Sequence, residues 1–415
     1  DAILPLYDAL GNYGVFSGVP NPDPATNQVV PVLPDAMSTA AVRQKLTEGK
    51  QKVADAEWNK LIQEERFATV TADFIWPIYT GGKIQAANKA AAIEVQMGSE
   101  QLRQVQGELL SELVTRYYAT VLAMQAQTVR QQMFQSMDKH YQNAQKMFDA
   151  GMIAKVELLQ ATVARSEAER EWKKAQRDVD VIRAGLAATL SSESLAAYQP
   201  ISPLFINSKI PELGYFQEKA LQANPQLKQI ESQKELVQIK DRSEKADYLP
   251  TVAAMGTYNL VDKNLSPYMP HWLVGVGVNW TLFDGLARNK TTKATRALEN
   301  QVESAQDQAI LSLQAYVNKL HQQLHMNLEQ VQELNQTLEL TIEYASSTEK
   351  AFNEGMATST SVTDAHLKMA QVKLMRLKVF YEYDVVLAAL LQTSGIPDDF
   401  LMYCKSENSI VEPMN

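Results

Sequence analysis

Two stretches of this chain alternate between apolar and other side chains with the period of a β-strand. In 66–79 every even-numbered position from 68 onward is apolar, and in 271–283 the same holds for every even-numbered position. Successive side chains of a strand point to opposite faces, so each stretch presents one apolar face. The segments 4–16 and 248–260 show a weaker form of the pattern. The sequence therefore predicts four strands.

Each of the two stronger strands is followed by a long stretch that favours a helix. Neither 82–149 nor 286–354 contains proline, and both are rich in Ala, Gln, Glu, Leu and Lys, which are strong helix formers. At about 1.5 Å per residue, each helix would be roughly 100 Å long. We expect Thr80 and Asp284 to act as the N-caps of these helices.

Glycine ends both predicted long helices. Ala150-Gly151-Met152 and Glu354-Gly355-Met356 stand at the two breaks, where glycine supplies the left-handed conformation of a helix C-cap. Return helices are predicted over 156–190 and 360–391. The first has small and apolar residues at steps of three and four, which indicates close helix packing of the coiled-coil type.

The two halves of the chain repeat each other at a fixed offset of 204 residues. The register holds without a gap from Trp76 with Trp280 to Leu186 with Leu390. It also pairs Gly151-Met152 with Gly355-Met356. Such self-similarity predicts two internal structural repeats.

The repeats divide the chain into four parts. These are a first repeat at 1–190 that includes an insertion at 17–65, a linking segment at 191–214, a second repeat at 215–395 and a tail at 396–415. The second repeat has a predicted helix, 225–246, ahead of its first strand, whereas only three residues precede the matching segment of the first. We therefore expect about 35 further residues upstream of Asp1 in the native protein.

The composition of the chain argues against several classes of function. The net charge is −9 and no Lys/Arg-rich run occurs, so nucleic acid is not an expected partner. The single cysteine, Cys404, excludes an intrachain disulfide and a multi-cysteine metal site. No phosphate-binding loop or catalytic triad pattern is present, so we expect no enzymatic activity and no cofactor. His321 and His325 have a metal-binding spacing, but the sequence offers no third ligand, and we expect no metal.

The strands fit two kinds of protein. No stretch has the 18–20 consecutive apolar residues of a membrane-spanning helix, whereas each predicted strand is long enough for a tilted bilayer crossing of about 9–11 residues. Aromatic residues near the strand ends are typical of membrane interfaces. Ordinary hairpins packed on a soluble core explain the alternation equally well.

The ordered set of motifs resembles the TolC family of outer-membrane efflux proteins. The resemblance rests on residues that recur in both halves and on one helix start: Trp76 to Gly82, Trp280 to Gly285, Phe148-x-x-Gly151, Phe352-x-x-Gly355, and Ala223-Asn224-Pro225-Gln226-Leu227 ahead of Leu249-Pro250.

This resemblance implies a mostly α fold with a membrane β-barrel part. Family members are homotrimers whose four strands per chain form one 12-stranded outer-membrane barrel, continued by a long periplasmic α-helical barrel. The resemblance further implies that the protein is an exit duct in the outer membrane of a Gram-negative bacterium. Such a duct is opened by a periplasmic adaptor protein and supplied by an inner-membrane pump. A soluble coiled-coil scaffold is the alternative function.

Three residues match the family's entrance positions. By motif position, Asp364 and Glu157 correspond to acidic residues that constrict the periplasmic end, and Ser361 stands where another family acid would be. Ala357 replaces an arginine of the family latch, so we expect a different restraint on the closed state. The alternative is that the two acids are solvated residues at helix starts, favoured there by the helix dipole.

The resemblance also assigns the turns and the polar strand positions. Gly151, Met152, Gly355 and Met356 are expected to bind the adaptor, the alternative being a plain helix cap with buried methionine. Three polar residues of the strands are expected to face the barrel lumen: Asp8, Asp73 and Asn279.

Overall fold

The computed structural model describes residues 21–22, 29–30, 35–55, 62–190 and 200–413. The chain divides into two compact units, and each unit combines residues from both halves of the sequence. The first comprises Asp1–Tyr79 and Thr251–Asn279, and the second comprises Thr80–Pro250 and Trp280–Asn415. These units separate strands from long helices, so their boundaries differ from those of the two predicted repeats.

The described elements alternate strands with helices of very unequal length. In chain order they are β1 (Asn21–Pro22), β2 (Val29–Val30), α1 (Asp35–Ala54), β3 (Ala68–Tyr79), α2 (Lys83–Asp149), α3 (Lys155–Thr189), β4 (Phe205–Asn207), α4 (Leu213–Ala223), α5 (Pro225–Ala246), β5 (Thr251–Lys263), β6 (Trp272–Asn279), α6 (Ala287–Asn353), α7 (Ser359–Thr393), a 3-10 turn (Pro397–Asp399), α8 (Phe400–Cys404) and β7 (Ser409–Val411). The segment 4–16, predicted as a fourth long strand, lies outside the described residues.

The first unit contains a three-stranded antiparallel sheet in the order β3-β5-β6. Trp76 lies opposite Ala254, which lies opposite Val276, so these side chains share one face. On that face the Phe74 ring covers Gly256, where a Cβ atom would overlap the ring. On this face, the apolar side chains of β3 and of β6 are exposed within the chain, whereas Val252 and Ala254 of the central strand β5 are half-buried.

Strand β5 begins three residues later than the sequence predicts, and β6 is shorter than predicted. Before β5, the Leu249 N–H donates to the Ala246 carbonyl in a turn that continues from α5, and Pro250 follows. After β6, the ladder ends at Asn279. The Trp280 indole N–H then donates to the Tyr248 carbonyl at 3.1 Å instead of continuing the strand.

The second unit is built on two helical hairpins. Helices α2 and α6 have 67 residues each, and α3 and α7 have 35 each. Helix α2 packs along α3 in the first hairpin and α6 along α7 in the second, and α2 also packs against α7. Because α2 contacts both return helices, it connects the hairpins to each other.

A large apolar core lies where the short elements meet the hairpins. Strand β4 pairs with β7, although some 200 residues separate them in the chain. Phe205 of β4, Phe216 of α4 and Phe380 and Tyr383 of α7 are almost completely buried in this core. The linking segment and the tail therefore form one small ladder on the hairpins.

The N-caps of the long helices differ from the prediction. Gly82 caps α2 and Leu286 caps α6, both in the left-handed conformation, with φ of 96° and 68°. Asp284 instead accepts hydrogen bonds from the backbone and the guanidinium of Arg288 at 3.0 and 2.8 Å. Thr80 lies 3.5 Å from the Ile84 amide, too far for a strong cap. The tight strand-to-helix turn needs the left-handed residue, and this displaces the cap by two positions.

None of the helices within the described residues has both the length and the hydropathy needed to cross a membrane.

Candidate functional site

The two hairpin turns have the same backbone geometry. After α2, the Met152 N–H donates to the Met147 carbonyl and the Gly151 N–H to the Phe148 carbonyl, both at 2.8 Å. After α6, Met356 and Gly355 make the equivalent pair of bonds at 2.8 and 2.9 Å. These are Schellman caps, with φ of 71° at Gly151 and 80° at Gly355. A side chain at either glycine would strain the turn.

Both turn methionines point into solvent. Met152 is 66% exposed and Met356 is 73% exposed, so each turn combines a helix cap with an accessible, flexible apolar side chain. This geometry fits a contact surface for another protein. A role in adaptor binding stays a prediction.

The ends of the two hairpins share one apolar cluster, which we call the tip. Buried residues from all four long helices meet there: Ala144 and Met147 of α2, Ala161 of α3, Phe352 of α6 and Val362 of α7. Alanine at two of these positions lets the helices approach closely. The hairpins are therefore in direct contact at their turns.

Glu157 connects the hairpins through the start of α7. Its Oε2 accepts a hydrogen bond from the backbone N–H of Ser359 at 2.7 Å, so a carboxylate from α3 occupies the positive end of α7. Beside it, the Thr360 hydroxyl donates to Gln160 Oε1 at 2.9 Å. Glu157 is half-buried and engaged within the chain, in contrast to a solvated residue at a helix start.

The other two entrance residues lie in the first two turns of α7. Asp364 is exposed, and within the described residues its carboxylate has no hydrogen bond or ion pair. Ser361 is half-buried, and its N–H donates to the Thr358 hydroxyl at 3.2 Å in a helix N-cap. Asp364 is thus available to the surroundings, whereas Ser361 is used locally. Their role at an entrance stays a prediction.

Two buried histidines at the tip were not identified from the sequence. His140 of α2 is 1% exposed, and its Nε2 lies 2.8 Å from the hydroxyl of Ser359, which is itself fully buried. His366 of α7 lies 3.7 Å from Glu349 of α6. Burial lowers the pKa of His140 to about 4 and also lowers the pKa of His366. Isolated histidines on long helices give no signal in the sequence because their neighbours come from other helices.

The predicted lumen residues fall in the sheet. Asp73 pairs with Thr257 and Thr251 pairs with Asn279, so Asp73 and Asn279 lie on the same face, opposite the face of Trp76. The Thr257 hydroxyl donates to Asp73 Oδ1 at 2.7 Å. Asp8 lies outside the described residues. That this face lines a lumen stays a prediction.

The His321 and His325 rings lie 4.6 Å apart on α6. His321 Nε2 is 3.0 Å from the Pro211 carbonyl, so this nitrogen already has a backbone partner. Within the described residues, no group of three or more His, Cys, Asp or Glu side chains is placed to hold a metal ion.

Comparison with solved structures identifies the fold. The outer membrane protein VceC from Vibrio cholerae aligns with a TM-score of 0.69 at 13% identity, over 82% of this chain and 83% of VceC. The open-state MtrE outer membrane channel of Neisseria gonorrhoeae aligns with a TM-score of 0.64 at 13% identity, over 88% and 86%. At such identities the similarity shows the fold alone.

Comparison at the sequence level adds one curated relative and a family. Protein CyaE of Bordetella pertussis is 25% identical over 257 residues, which cover 60% of this chain and 54% of CyaE. The match thus spans about half the length of that relative. The family model described as outer membrane efflux protein matches residues 40–192 and 217–395, well over half of the chain. This confirms the resemblance predicted from the sequence: the chain belongs to the outer membrane efflux protein family.

Proposed function

We propose that this chain is the outer-membrane exit duct of a tripartite export system, which passes substrates from an inner-membrane pump through a periplasmic tunnel. The observation that carries the proposal is the family match over both long-helix hairpins. The fold shared with outer-membrane channels supports it. The exposed apolar face of the sheet favours a duct over a soluble scaffold, because lipid would cover that face.

The duct is proposed to be a homotrimer. In the described sheet, β3 and β6 are edge strands, and unpaired backbone groups at a sheet edge are costly in lipid. Copies of the chain arranged in a ring would pair these edges. Four strands per copy, one of them predicted at 4–16, would give a closed 12-stranded barrel with Asp8, Asp73 and Asn279 towards its lumen.

The tip is proposed to be the gate. Three copies of Asp364 near the threefold axis would repel anions and attract cations. The Glu157 bond to Ser359 and the Gln160 bond to Thr360 would restrain the hairpins in the closed state, in place of the latch arginine that Ala357 replaces. An adaptor that binds the exposed methionines of the turns, Met152 and Met356, would then separate the hairpins.

Single-channel recording in planar lipid bilayers tests this proposal. We expect the purified protein to insert and to conduct ions at a low open probability at neutral pH. Glu157→Gln should raise the open probability several-fold, because it removes the charge that caps α7. Glu167→Gln is a matched control, since Glu167 lies on the same helix and is exposed. Failure to form any channel would refute the duct, and equal effects of both substitutions would refute the gate.

A further inference from the structure

The buried polar cluster at the tip joins all four long helices. Its histidines have no counterparts in the other half of the chain, because the offset of 204 residues places Tyr344 opposite His140 and Thr162 opposite His366. Both counterparts are exposed, whereas both histidines are buried. The two histidines are therefore not part of the internal repeat.

His140 is linked to α7 and, through it, to α3. Its Nε2 lies 2.8 Å from the Ser359 hydroxyl, and the Ser359 N–H donates to Glu157 at 2.7 Å. The His140 ring also packs edge-on against Phe352 of α6, with 4.6 Å between ring centroids. One imidazole thus contacts the second hairpin on two sides.

His366 of α7 is linked to the first hairpin through Glu349 of α6. Its Nε2 lies 3.7 Å from Glu349 Oε2 on α6, and Glu349 Oε1 lies 3.3 Å from the Lys139 ammonium on α2. This connection also spans both hairpins, because Lys139 and His140 are adjacent in the first. Lys373 of α7 is the remaining charged group whose field acts on His366.

Protonation of either ring would leave a buried donor without an acceptor. Neither the Nδ1 of His140 nor that of His366 has a hydrogen-bond partner in the described part of the chain. In the charged imidazolium both ring nitrogens carry a proton, and a buried unpaired N–H is unfavourable. The two rings would in addition repel each other once both are charged.

The charged neighbours do not offset the free-energy cost of protonating the two buried rings. Burial is the largest cause of the low pKa of His140, followed by the field of His366, while Glu349 and Glu157 act in the opposite direction. For His366, burial again lowers the pKa most, Lys139 and Lys373 add to it, and Glu349 opposes it. Both rings are therefore neutral at pH 7.

We propose that His140 and His366 form a proton-operated latch that holds the two hairpin tips together when neutral and releases them when protonated. Only its consequence for transport rests on the proposed gate. Released histidines would regain an ordinary pKa of about 6.5, so the released state binds more protons as the pH falls below that value. The released population should then rise by up to about tenfold per pH unit for each histidine, until the pH reaches the lower pKa of the closed state.

Hydrogen exchange followed by mass spectrometry on the full chain in detergent tests the latch. Peptides that cover the tip should lose at least about tenfold in protection between pH 7.5 and pH 4.5, after correction for intrinsic exchange rates. Peptides from the core around Tyr383 should keep their protection. The double substitution His140→Gln and His366→Gln should reduce the loss at the tip to less than about threefold, whereas His325→Gln, an exposed position on α6, should leave it unchanged.

A second variant keeps the test decisive if the double substitution fails to fold. Glu349→Gln removes the carboxylate that stabilises the charged His366 ring in the closed state, so the pKa of His366 in that state falls further below its ordinary value. The loss of protection should then be larger than in the wild type and continue to a lower pH. Unchanged protection of the wild-type tip at pH 4.5 would overturn the latch, as would a loss that the histidine substitutions do not alter. Hydrogen exchange detects the contact between the hairpins whether or not the protein conducts ions. Its result is therefore independent of the single-channel recording in lipid bilayers.

Discussion

Asp384 lies on α7 in the middle of the core around β4, and its side chain is completely buried. Its Oδ2 is 3.5 Å from the Phe205 amide, and its Oδ1 has no hydrogen-bond partner among the described residues. Burial raises the pKa of Asp384 well above the ordinary value, with the Phe205 amide opposing this weakly. The folded chain therefore favours the protonated carboxyl, and its stability falls as the pH rises from about 4 towards the raised pKa.

Replacing Asp384 by asparagine should stabilise the protein at neutral pH. The amide has the shape of the protonated carboxyl and needs no proton, so we expect a gain of about 1–3 kcal/mol at pH 7.5 and little change at pH 4. Thermal unfolding in detergent, followed by circular dichroism, measures this. Asp364→Asn on the same helix should have no effect because Asp364 is exposed. A lower unfolding temperature for Asp384→Asn at pH 7.5 would contradict the assignment.

Leu286 adopts a left-handed backbone conformation that its repeat counterpart, Gly82, adopts without strain. Leu286→Gly should therefore stabilise the start of α6 by about 1 kcal/mol, and Gly82→Ala should destabilise the start of α2 by a similar amount. Urea unfolding of the two variants gives the comparison. Shifts of the same sign would show that the backbone conformation does not decide their stability.

Single residues of the tip mark the limit of what the sequence predicts. Gly151 and Gly355 were expected in turns because only glycine adopts the left-handed conformation readily. The bond between Glu157 and Ser359 joins residues about 200 positions apart, and no local pattern relates them. The sequence indicates Glu157 only through family resemblance, and its bond to Ser359 follows from the way the two hairpins pack.

Among the helices that meet at the tip, Phe352 of α6 contributes the largest buried apolar side chain. Its ring is 1% exposed, whereas that of its repeat counterpart, Phe148, is half-buried. Phe352→Ala should cost about 3–5 kcal/mol and loosen the tip. Phe148→Ala should cost about 1 kcal/mol because less of its surface is removed from water.

Limited proteolysis at neutral pH measures the loosening. Cleavage near Lys155 should accelerate strongly in Phe352→Ala and only slightly in Phe148→Ala, with far-ultraviolet circular dichroism as the control for helix content. Equal cleavage rates in the two variants would mean that the buried ring does not hold the hairpins together.

The long helices could be predicted from the sequence, whereas the pairing of β4 with β7 could not. The range 82–149 has no proline and mostly strong helix formers, and the structure has a helix at Lys83–Asp149. Strands β4 and β7 have three residues each, too few for an alternating pattern to be recognised. They pair because the linking segment and the tail pack on the same core. The periodicity of a sequence predicts long helices and strands. It does not predict which distant segments pair with each other in the fold.

For the whole molecule, the proposed duct requires several copies of the chain. Within the described residues, β3 and β6 are the edge strands of their sheet, and both carry exposed apolar side chains. If lipid covers this sheet as proposed, unpaired backbone groups at its edges would be costly unless the sheet closes. The sequence predicted this assembly through family resemblance.

Electron cryo-microscopy of the detergent-extracted protein decides between the proposed duct and other assemblies, because the duct requires a closed ring of chains. We predict particles with threefold symmetry, a 12-stranded barrel inside the detergent belt and a long helical barrel that ends at the turns around Gly151 and Gly355. Monomeric, twofold or compact particles would contradict the duct and with it the proposed gate at Asp364.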